Sequence, residues 1–389
     1  MLEKLDLEEI RGAVEDEGVP DGDSVSQEKV EKAFGQKFYL KTEEAVSLQK
    51  SYVLHMHKSG RSLVAGLSGP QVQLYNIGES SLTTIHTRDF DSSEGGICGV
   101  RFLNKNSNVF LSGQTAGSIV LHDKREKKSV ATLEDTTNGS RKPFTTFDVN
   151  SNDRVICVGT EQILHDVFLL FFDVRQRQLL GGYWESHEDD VTSIQFHPSD
   201  PDILASGSTD GLINVFKISA ASESDALDYS LNTEKTVQRI NWHKQEKGSL
   251  LSSIMDSHDF HVYTEDSDLL SSFSREDITE RMLRKSARDC STIGSHNSAD
   301  GMFLMTGSNF QNGECLRILK YREKELHPHA NFIGNHQIIR SYIHDEAEDI
   351  YITGGENGII SLWTHQQPTI EEKSKAVDRR KSHQTVKPY

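Results

Sequence analysis

The sequence predicts an all-β protein folded as a closed ring of seven small antiparallel sheets. Three observations predict this fold. Residues 187–216, HEDDVTSIQFHPSDPDILASGSTDGLINVF, contain three short strand-like runs separated by turn residues. A related pattern of small residues, a turn, an apolar alternation and a final aromatic or apolar residue recurs seven times along the chain. None of these seven segments carries an apolar periodicity of helix length.

The segment 187–216 shows how one sheet is built. Residues 191–196 alternate between core and solvent types and predict a first strand, and residues 204–208 predict a second. Thr209, Asp210 and Gly211 predict a tight turn, after which residues 212–216 return as a third strand. A unit of this size cannot bury its own faces, so several must stack side by side.

The repeat ends are separated by 44 to 56 residues. This arrangement resembles the WD40-repeat family, in which each repeat of about 40 to 45 residues forms one blade of a β-propeller. Seven ends predict seven blades: Tyr75, His122, Phe172, Phe216, Tyr263, Leu319 and Trp363.

Ring closure needs a strand from the other end of the chain, because an open ring would expose sheet edges. Residues 38–54 precede the first clear repeat, and we predict that they pair beside the blade ending at Trp363. The propeller is therefore expected to occupy residues 36–365.

The two ends of the chain are predicted to be disordered tails. Residues 1–35 carry eleven acidic and four basic side chains, and a short helix at 2–14 is the exception expected within them. Residues 366–389 are polar and mildly basic, and their DRRKS segment is either a nuclear import signal or simply a solvated cluster. Inside the ring, residues 217–236 predict an outer strand and a loop, while residues 277–285 predict a helix capped by Asp277.

Composition restricts the partners and the compartment. The net charge of −17 argues against direct nucleic-acid binding and against attachment to anionic membranes. The first residues lack the basic start and apolar run of a secretory leader, and no run of about 18 apolar residues occurs, so we expect a soluble protein that is not secreted. The four cysteines are widely spaced without a CxxC pair, which predicts reduced thiols in an intracellular protein of the cytoplasm, the nucleus or both.

The resemblance implies that polar residues within the repeats have a structural role. His187, Ser206 and Asp210 occupy positions where this family forms a buried hydrogen-bond chain that ends on Trp, but here Phe216 replaces the Trp. The blade ending at Trp363 has His336 and Thr353, with Asn357 in place of Asp. Because neither set is complete, we expect a propeller held mainly by packing and strand pairing.

Catalysis and metal binding are not expected. A nucleophilic serine needs exposure and an oxyanion hole, whereas Ser206 is predicted in the middle of a strand. Three close histidine pairs, His55/His57, His258/His261 and His327/His329, lack cysteine or carboxylate partners at a metal-binding spacing. No phosphate-binding glycine loop or hydrolase signature is present. We therefore expect no enzyme activity and no cofactor.

A narrower resemblance rests on five segments that occur in order: residues 147–161, 169–175, 187–216, 224–228 and 340–363. Together they resemble the WD repeat-containing protein 89 family, an intracellular WD40 group. The resemblance covers about residues 40–365 and is weak from 265 to 335. It implies the fold more strongly than a biochemical role.

Two Asp-x-Arg boxes suggest one specific partner. Asp123 with Arg125, and Asp173 with Arg175, follow the third strands of consecutive blades. Paired boxes of this kind are what WD40 substrate receptors present to the adaptor of cullin-4 ubiquitin ligases, although His122 and Phe172 replace the usual Trp here. An exposed Arg suits an interface hot spot. The alternative is an ordinary strand-ending turn.

The wider functional expectation is a non-enzymatic scaffold or adaptor, monomeric within a larger complex, that docks proteins on a propeller face. Acidic residues Glu188, Asp189 and Asp190 favour a Lys- or Arg-rich segment, with a solvated acidic loop as the alternative. The remaining positions expected on this face are Thr209, Gln114, Gln337, Ile338 and Glu356.

Overall fold

The computed structural model describes residues 20–47, 50–79, 81–126, 128–135, 137, 141–246 and 248–367. In these ranges the chain forms 28 strands, three short α-helices and three 3-10 helices. The helices are α1 (Gln27–Ala33), α2 (Glu223–Ala226) and α3 (Arg275–Arg281), with 3-10 turns at Ser92–Glu94, Ala287–Asp289 and Phe310–Gly313.

Twenty strands form five four-stranded antiparallel sheets in which neighbours in sequence are neighbours in space. Short connections make this order natural, since consecutive strands can pair as hairpins. The first two sheets are β2 (Val53–Ser59), β3 (Ser62–Leu67), β4 (Gln71–Ile77), β5 (Leu82–Asp89), and β6 (Ile97–Phe102), β7 (Val109–Gln114), β8 (Ser118–Asp123), β9 (Ser129–Glu134). The next is β10 (Phe144–Val149), β11 (Val155–Thr160), β12 (Leu169–Asp173), β13 (Gln178–Tyr183). The last two are β14 (Val191–Phe196), β15 (Ile203–Ser208), β16 (Leu212–Lys217), β17 (Leu227–Asn232), and β18 (Val237–Lys244), β19 (Ser249–Met255), β20 (Phe260–Thr264), β21 (Leu269–Phe273).

The remaining strands form one eight-stranded sheet in the order β22-β23-β24-β25-β1-β28-β27-β26. Its members are β1 (Gln36–Ala45), β22 (Cys290–Ser298), β23 (Gly301–Ser308), β24 (Leu316–Arg322), β25 (Glu325–Ile333), β26 (Ile339–Asp345), β27 (Ile350–Gly355) and β28 (Ile359–Thr364).

The predicted closing strand is present as β1. It runs antiparallel to β28, with Leu40 opposite Trp363, and parallel to β25, with Phe38 opposite Phe332. The strand begins two residues earlier than predicted and ends at Ala45, because Val53 and Leu54 belong to β2. Since β1 joins two four-stranded halves into one sheet, the blade count of seven stays a prediction.

The eight-stranded sheet consists of two runs of four strands, β22–β25 and β26–β28 with β1. The first strand of each run, and of each four-stranded sheet, encloses the centre of the ring. Each contacts the first strand of the next run, in the order β2, β6, β10, β14, β18, β22, β26, and the last contacts β2 again. The residues that end the sequence repeats all lie in third strands, where Phe216 is opposite Leu204 and Trp363 is opposite Tyr351. The all-β propeller predicted from the repeats is therefore confirmed.

Neighbouring sheets pack closely because glycine recurs where they meet. A Cβ at Gly207 would lie 2.6 Å from Cγ1 of Val237, which begins β18 in the next sheet. The same relation joins Gly159 to Val191, at 2.5 Å. Any side chain at these two positions would push the sheets apart, so the small residue in the second strand sets the spacing between blades.

The expected disorder of residues 1–35 does not extend through residues 20–34. Val30 and Phe34 are fully buried and pack with Phe260 and Met282. A charged pair adds to this contact, since Asp21 accepts hydrogen bonds from Arg284. The sequence prediction weighted the acidic composition and missed Val30, within α1, and Phe34, directly after it. Residues 1–19, including the predicted helix at 2–14, lie outside the described residues, as do residues 368–389.

The predicted helix at 277–285 is shifted in the structure. It spans Arg275–Arg281 and is capped by Ser274, whose Oγ accepts a hydrogen bond from the backbone N–H of Asp277 at 3.1 Å. The Asp277 carboxylate accepts in return from the N–H of Ser274 at 2.9 Å. Asp277 is thus the acidic member of a capping box and not the cap itself. The outer strand predicted within 217–236 is confirmed as β17.

Candidate functional site

The buried hydrogen-bond chain expected in the β14–β17 sheet is formed. Nε2 of His187 lies 2.7 Å from Oγ of Ser206, and Nδ1 lies 2.9 Å from Oδ2 of Asp210. Asp210 is fixed in turn by the backbone N–H groups of Glu188 at 3.1 Å and Leu212 at 2.8 Å. These bonds keep the pKa of the Asp210 carboxyl below its usual value, although burial acts in the opposite direction.

Phe216 ends this chain with packing alone. Its side chain is fully buried and lies 5.4 Å from the ring of Tyr183, but it has no donor. Sequence reasoning missed Asn214, a 2 % exposed side chain that donates to the carbonyl of Ser186 and accepts from Ser230 at 2.6 Å. An Asn in the middle of an otherwise apolar third strand was the available signal.

The His187, Ser206 and Asp210 side chains cannot act as a nucleophilic triad in this geometry. Ser206 has no exposed surface, and the side chain of His187 is 1 % exposed. A substrate carbonyl therefore cannot approach the serine oxygen. The three side chains instead join the loop before β14 to the turn between β15 and β16.

The blade that ends at Trp363 differs from the expectation. Nε1 of Trp363 donates to Oγ1 of Thr353 at 2.8 Å, as expected. The ring of His336 does not join them: its Nδ1 contacts the carbonyl of Gly334 at 3.3 Å. Asn357 donates to the backbone carbonyl of His336 at 2.8 Å. The predicted role of the His336 side chain is wrong, because the preceding Asn335 takes the buried position, 4 % exposed.

Two other sheets contain buried His–Ser pairs that the sequence did not indicate. Nε2 of His122 lies 2.8 Å from Oγ of Ser112, between the second and third strands of β6–β9. Nε2 of His243 lies 2.8 Å from Oγ of Ser252 in β18–β21. Burial lowers the pKa of both histidines to about 3, so both are neutral at physiological pH.

The two Asp-x-Arg boxes have different geometries. In the first, the Arg125 guanidinium donates to its own Asp123 at 2.9 and 2.6 Å, while the Arg125 side chain remains 67 % exposed. In the second, Asp173 accepts from the backbone N–H groups of Arg175 and Gln176 at 2.7 and 2.6 Å. The exposed Arg175 guanidinium forms no ion pair with the described carboxylates.

The acidic loop, defined as Glu188, Asp189 and Asp190, is held in place by backbone contacts. Oδ1 of Asp190 accepts from the N–H of Gln162 at 2.7 Å, and its carbonyl accepts from the N–H of Thr209 at 3.0 Å. Glu188 and Asp189 are exposed. The loop therefore presents negative charge from a fixed position beside the turn between β15 and β16.

Two of the other residues predicted to line this face are buried, and two are partly exposed. Gln114 is 2 % exposed and Gln337 is 1 % exposed, so neither can touch a partner. Gln114 is the last residue of β7, and Gln337, in the segment before β26, donates to the carbonyl of Ile359 at 2.8 Å. Ile338 and Glu356 are partly exposed, and Glu356 forms an ion pair with Arg340.

No group of three or more His, Cys, Asp or Glu side chains able to hold a metal ion occurs in the described ranges. Burial lowers the pKa of His55 to about 4 and that of His57 to about 3. The four cysteines are buried free thiols, and the intracellular location expected from them stays a prediction. None of the described helices is both long and apolar enough to span a bilayer.

The sheets, their cyclic contacts and the His187 network define a WD40-type β-propeller. The family model of the WD domain, G-beta repeat, matches residues 179–217, which include this network. This segment of the chain therefore matches a WD40 repeat.

Relatives extend the likeness beyond that one repeat. An uncharacterized WD repeat-containing protein of Saccharomyces cerevisiae is 25% identical over 338 residues, covering 84% of this chain and 80% of that protein. One of Schizosaccharomyces pombe is 26% identical over 277 residues, covering 69% and 82%. The WD repeat-containing protein 89 homolog of Dictyostelium discoideum is 22% identical over 189 residues, covering 49% and 48%. The narrower resemblance to the WD repeat-containing protein 89 family, predicted from the five segments, is therefore confirmed over about half of the chain.

Proposed function

We propose that the protein is a non-enzymatic scaffold or adaptor that docks a Lys- or Arg-rich segment of a partner protein on the acidic loop. WD repeat proteins generally serve as protein-interaction scaffolds, which supports the broader part of this proposal. One observation carries the specific part. None of the three carboxylates in the loop forms an ion pair with a basic side chain of the described residues, whereas Glu356 in another blade pairs with Arg340.

The geometry of the loop favours binding. Glu188 and Asp189 are exposed, while contacts with Gln162 and Thr209 fix the backbone that carries them. A preorganised loop loses less conformational freedom when a partner binds, so more of the interaction energy contributes to affinity. A net charge of −17 also attracts basic segments over a distance, and salt screens that attraction.

The direct test measures binding of a fluorescent Lys- and Arg-rich peptide to the full chain. The double variant Glu188→Lys and Asp189→Lys should weaken binding at least about tenfold, since opposite charges become like charges. Asp190 is left unchanged because its carboxylate holds the backbone of Gln162. Affinity should also fall as sodium chloride increases.

The matched control reverses two exposed charges elsewhere. Asp266→Lys with Asp268→Lys makes the same change in net charge in the turn between β20 and β21. This control should bind the peptide with wild-type affinity. Equal weakening in both double variants would show that only the overall charge matters, and the acidic loop would not be the site.

Arg175 favours a second candidate function, a substrate receptor of a cullin-4 ubiquitin ligase. Its guanidinium is exposed and unpaired among the described residues, which leaves its planar set of donors for a partner. Arg125 is also exposed but already holds Asp123. If the rim binds the ligase adaptor, Arg175→Ala should reduce co-purification of that adaptor more than Arg125→Ala does.

Arg322 provides the control for this second function, because it ends the third strand β24 of another run and its side chain is 70% exposed. Arg322→Ala should retain the adaptor. Full retention by the Arg125→Ala and Arg175→Ala double variant would exclude the rim mechanism while leaving the acidic-loop proposal intact.

A further inference from the structure

One cation inside the ring has no counterion. Arg239 lies on β18, one of the strands that enclose the centre, and its side chain is partly accessible to solvent. Its NH1 donates to the carbonyl of Ile293 on β22 at 3.1 Å. No described carboxylate forms an ion pair with it. A guanidinium has five N–H donors, so most of the donors of Arg239 have no protein acceptor among the described residues.

The guanidinium reaches into the space enclosed by the ring. A Cβ at Gly294 on β22 would lie 3.2 Å from NH1 of Arg239 and 2.8 Å from a ring carbon of Tyr342 on β26. The charge of Arg239 also contributes, after burial, to lowering the pKa of His55 on β2. These neighbours belong to three different first strands, and only β22 is adjacent to β18 in the ring.

The neighbours of Arg239 cannot neutralise it. Burial raises the pKa of Tyr342, so its hydroxyl is uncharged at physiological pH. His55 has a pKa lowered to about 4 and is neutral as well. Burial lowers the pKa of Arg239 itself, which reflects the cost of holding a positive charge in this environment without a partner.

Other charged side chains on the described first strands are paired, with the exception of Lys244. Lys58 pairs with Asp345, and Arg101 pairs with Asp148. Arg340 pairs with Glu356. Lys244 has no pair but is exposed at the end of β18. Among the charged side chains on the described first strands, Arg239 is the one that is enclosed and has no counterion.

We propose that the centre of the propeller binds an anionic oxygen group, a phosphate or a carboxylate, at Arg239. The planar donors of Arg239 suit two oxygens of one such group, and Gly294 leaves the space in which the guanidinium lies. The site is separate from the acidic loop, which carries the opposite charge, so this inference goes beyond the proposed function.

The test measures the unfolding midpoint of the full chain in two arms, one with inorganic phosphate and one with a short peptide of Gly and Glu. Sodium chloride keeps the ionic strength constant. A ligand that binds only the folded state raises the midpoint. We expect an upward shift for the wild type, a smaller one for Arg239→Lys, which retains the charge but loses the planar fork, and none for Arg239→Met.

The control Arg322→Met, at the exposed end of β24, should shift as the wild type does, which separates binding at Arg239 from general salt effects. A response to phosphate alone would identify a free oxyanion, and a response to the peptide alone would identify a carboxylate carried by a protein. If neither raises the midpoint, or if Arg239→Met responds as the wild type does, the proposal is overturned. Should Arg239→Met fail to fold, the comparison with Arg239→Lys decides.

Discussion

Nε2 of His187 lies 2.7 Å from Oγ of Ser206 although the two residues are 19 positions apart in sequence. Both side chains are buried, and His187 also binds Asp210 in the turn between β15 and β16. These three residue types also form nucleophilic triads in enzymes, but here they connect the loop before β14 to the turn between β15 and β16 of the same sheet. The acidic loop follows His187 directly, so this connection also positions the proposed binding surface.

The first prediction concerns this connection. His187→Ala should lower the free energy of unfolding by about 1 to 3 kcal/mol, since Ser206 and Asp210 would lose their buried partner. Urea denaturation followed by fluorescence measures the change. Asp202→Asn, at an exposed position before β15, is the control and should have little effect. A loss no greater than that of the control would contradict a structural role for the network.

A second prediction concerns pH. Burial lowers the pKa of His243 from 6.5 to about 3. Below pH 6.5 the unfolded chain binds a proton that the folded protein does not, so stability should fall as pH decreases toward 3. Between pH 6.5 and 5, His243→Gln should reduce this slope by up to about 1.4 kcal/mol per pH unit. Urea denaturation at several pH values measures it. An unchanged slope would mean that His243 is protonated in the folded state.

Ring closure gives a third prediction. Phe38 on β1 is 2 % exposed and packs against Phe332 and Tyr351, with ring centroids 5.2 and 4.8 Å away. Phe38→Ala should cost about 3 to 5 kcal/mol because it leaves a cavity where β1 joins β25 and β28. Lys37→Ala, at the neighbouring partly exposed position, should cost far less. Similar thermal unfolding midpoints for the two variants would argue against closure through β1.

The fourth prediction concerns the segment before the ring. Asp21 is 4 % exposed and accepts from Arg284 at 2.7 Å and from Ser308 at 2.5 Å. Asp21→Ala would leave Arg284 with Asp23 as its remaining carboxylate partner, so we expect a cost of about 1 to 3 kcal/mol. Hydrogen exchange within α1 should become faster, whereas the exposed Lys29→Ala should leave it unchanged. Unaltered protection in Asp21→Ala would show that the apolar contacts of α1 suffice.

Local patterns predicted much of this structure. The alternation and turn residues of the segment 187–216 gave the strands of one sheet, and the recurrence of that pattern gave the rest of the ring. The His187, Ser206 and Asp210 contacts were also predictable, because each residue lies at a fixed place in its repeat. Where a repeat departs from the pattern, as at His336, the prediction failed, since a neighbouring Asn335 can occupy the buried position equally well.

The sequence by itself determined the repeating strands, the turns between them and the excess of negative charge, because these depend on residues close together in the chain. Only the tertiary structure decided that Asp21 contacts Arg284 and that Val30 and Phe34 are buried. It also decided that Arg239 has no counterion among the described residues around it in the ring. Pairing of distant charges depends on which strands face each other after closure, and no local pattern encodes that distance.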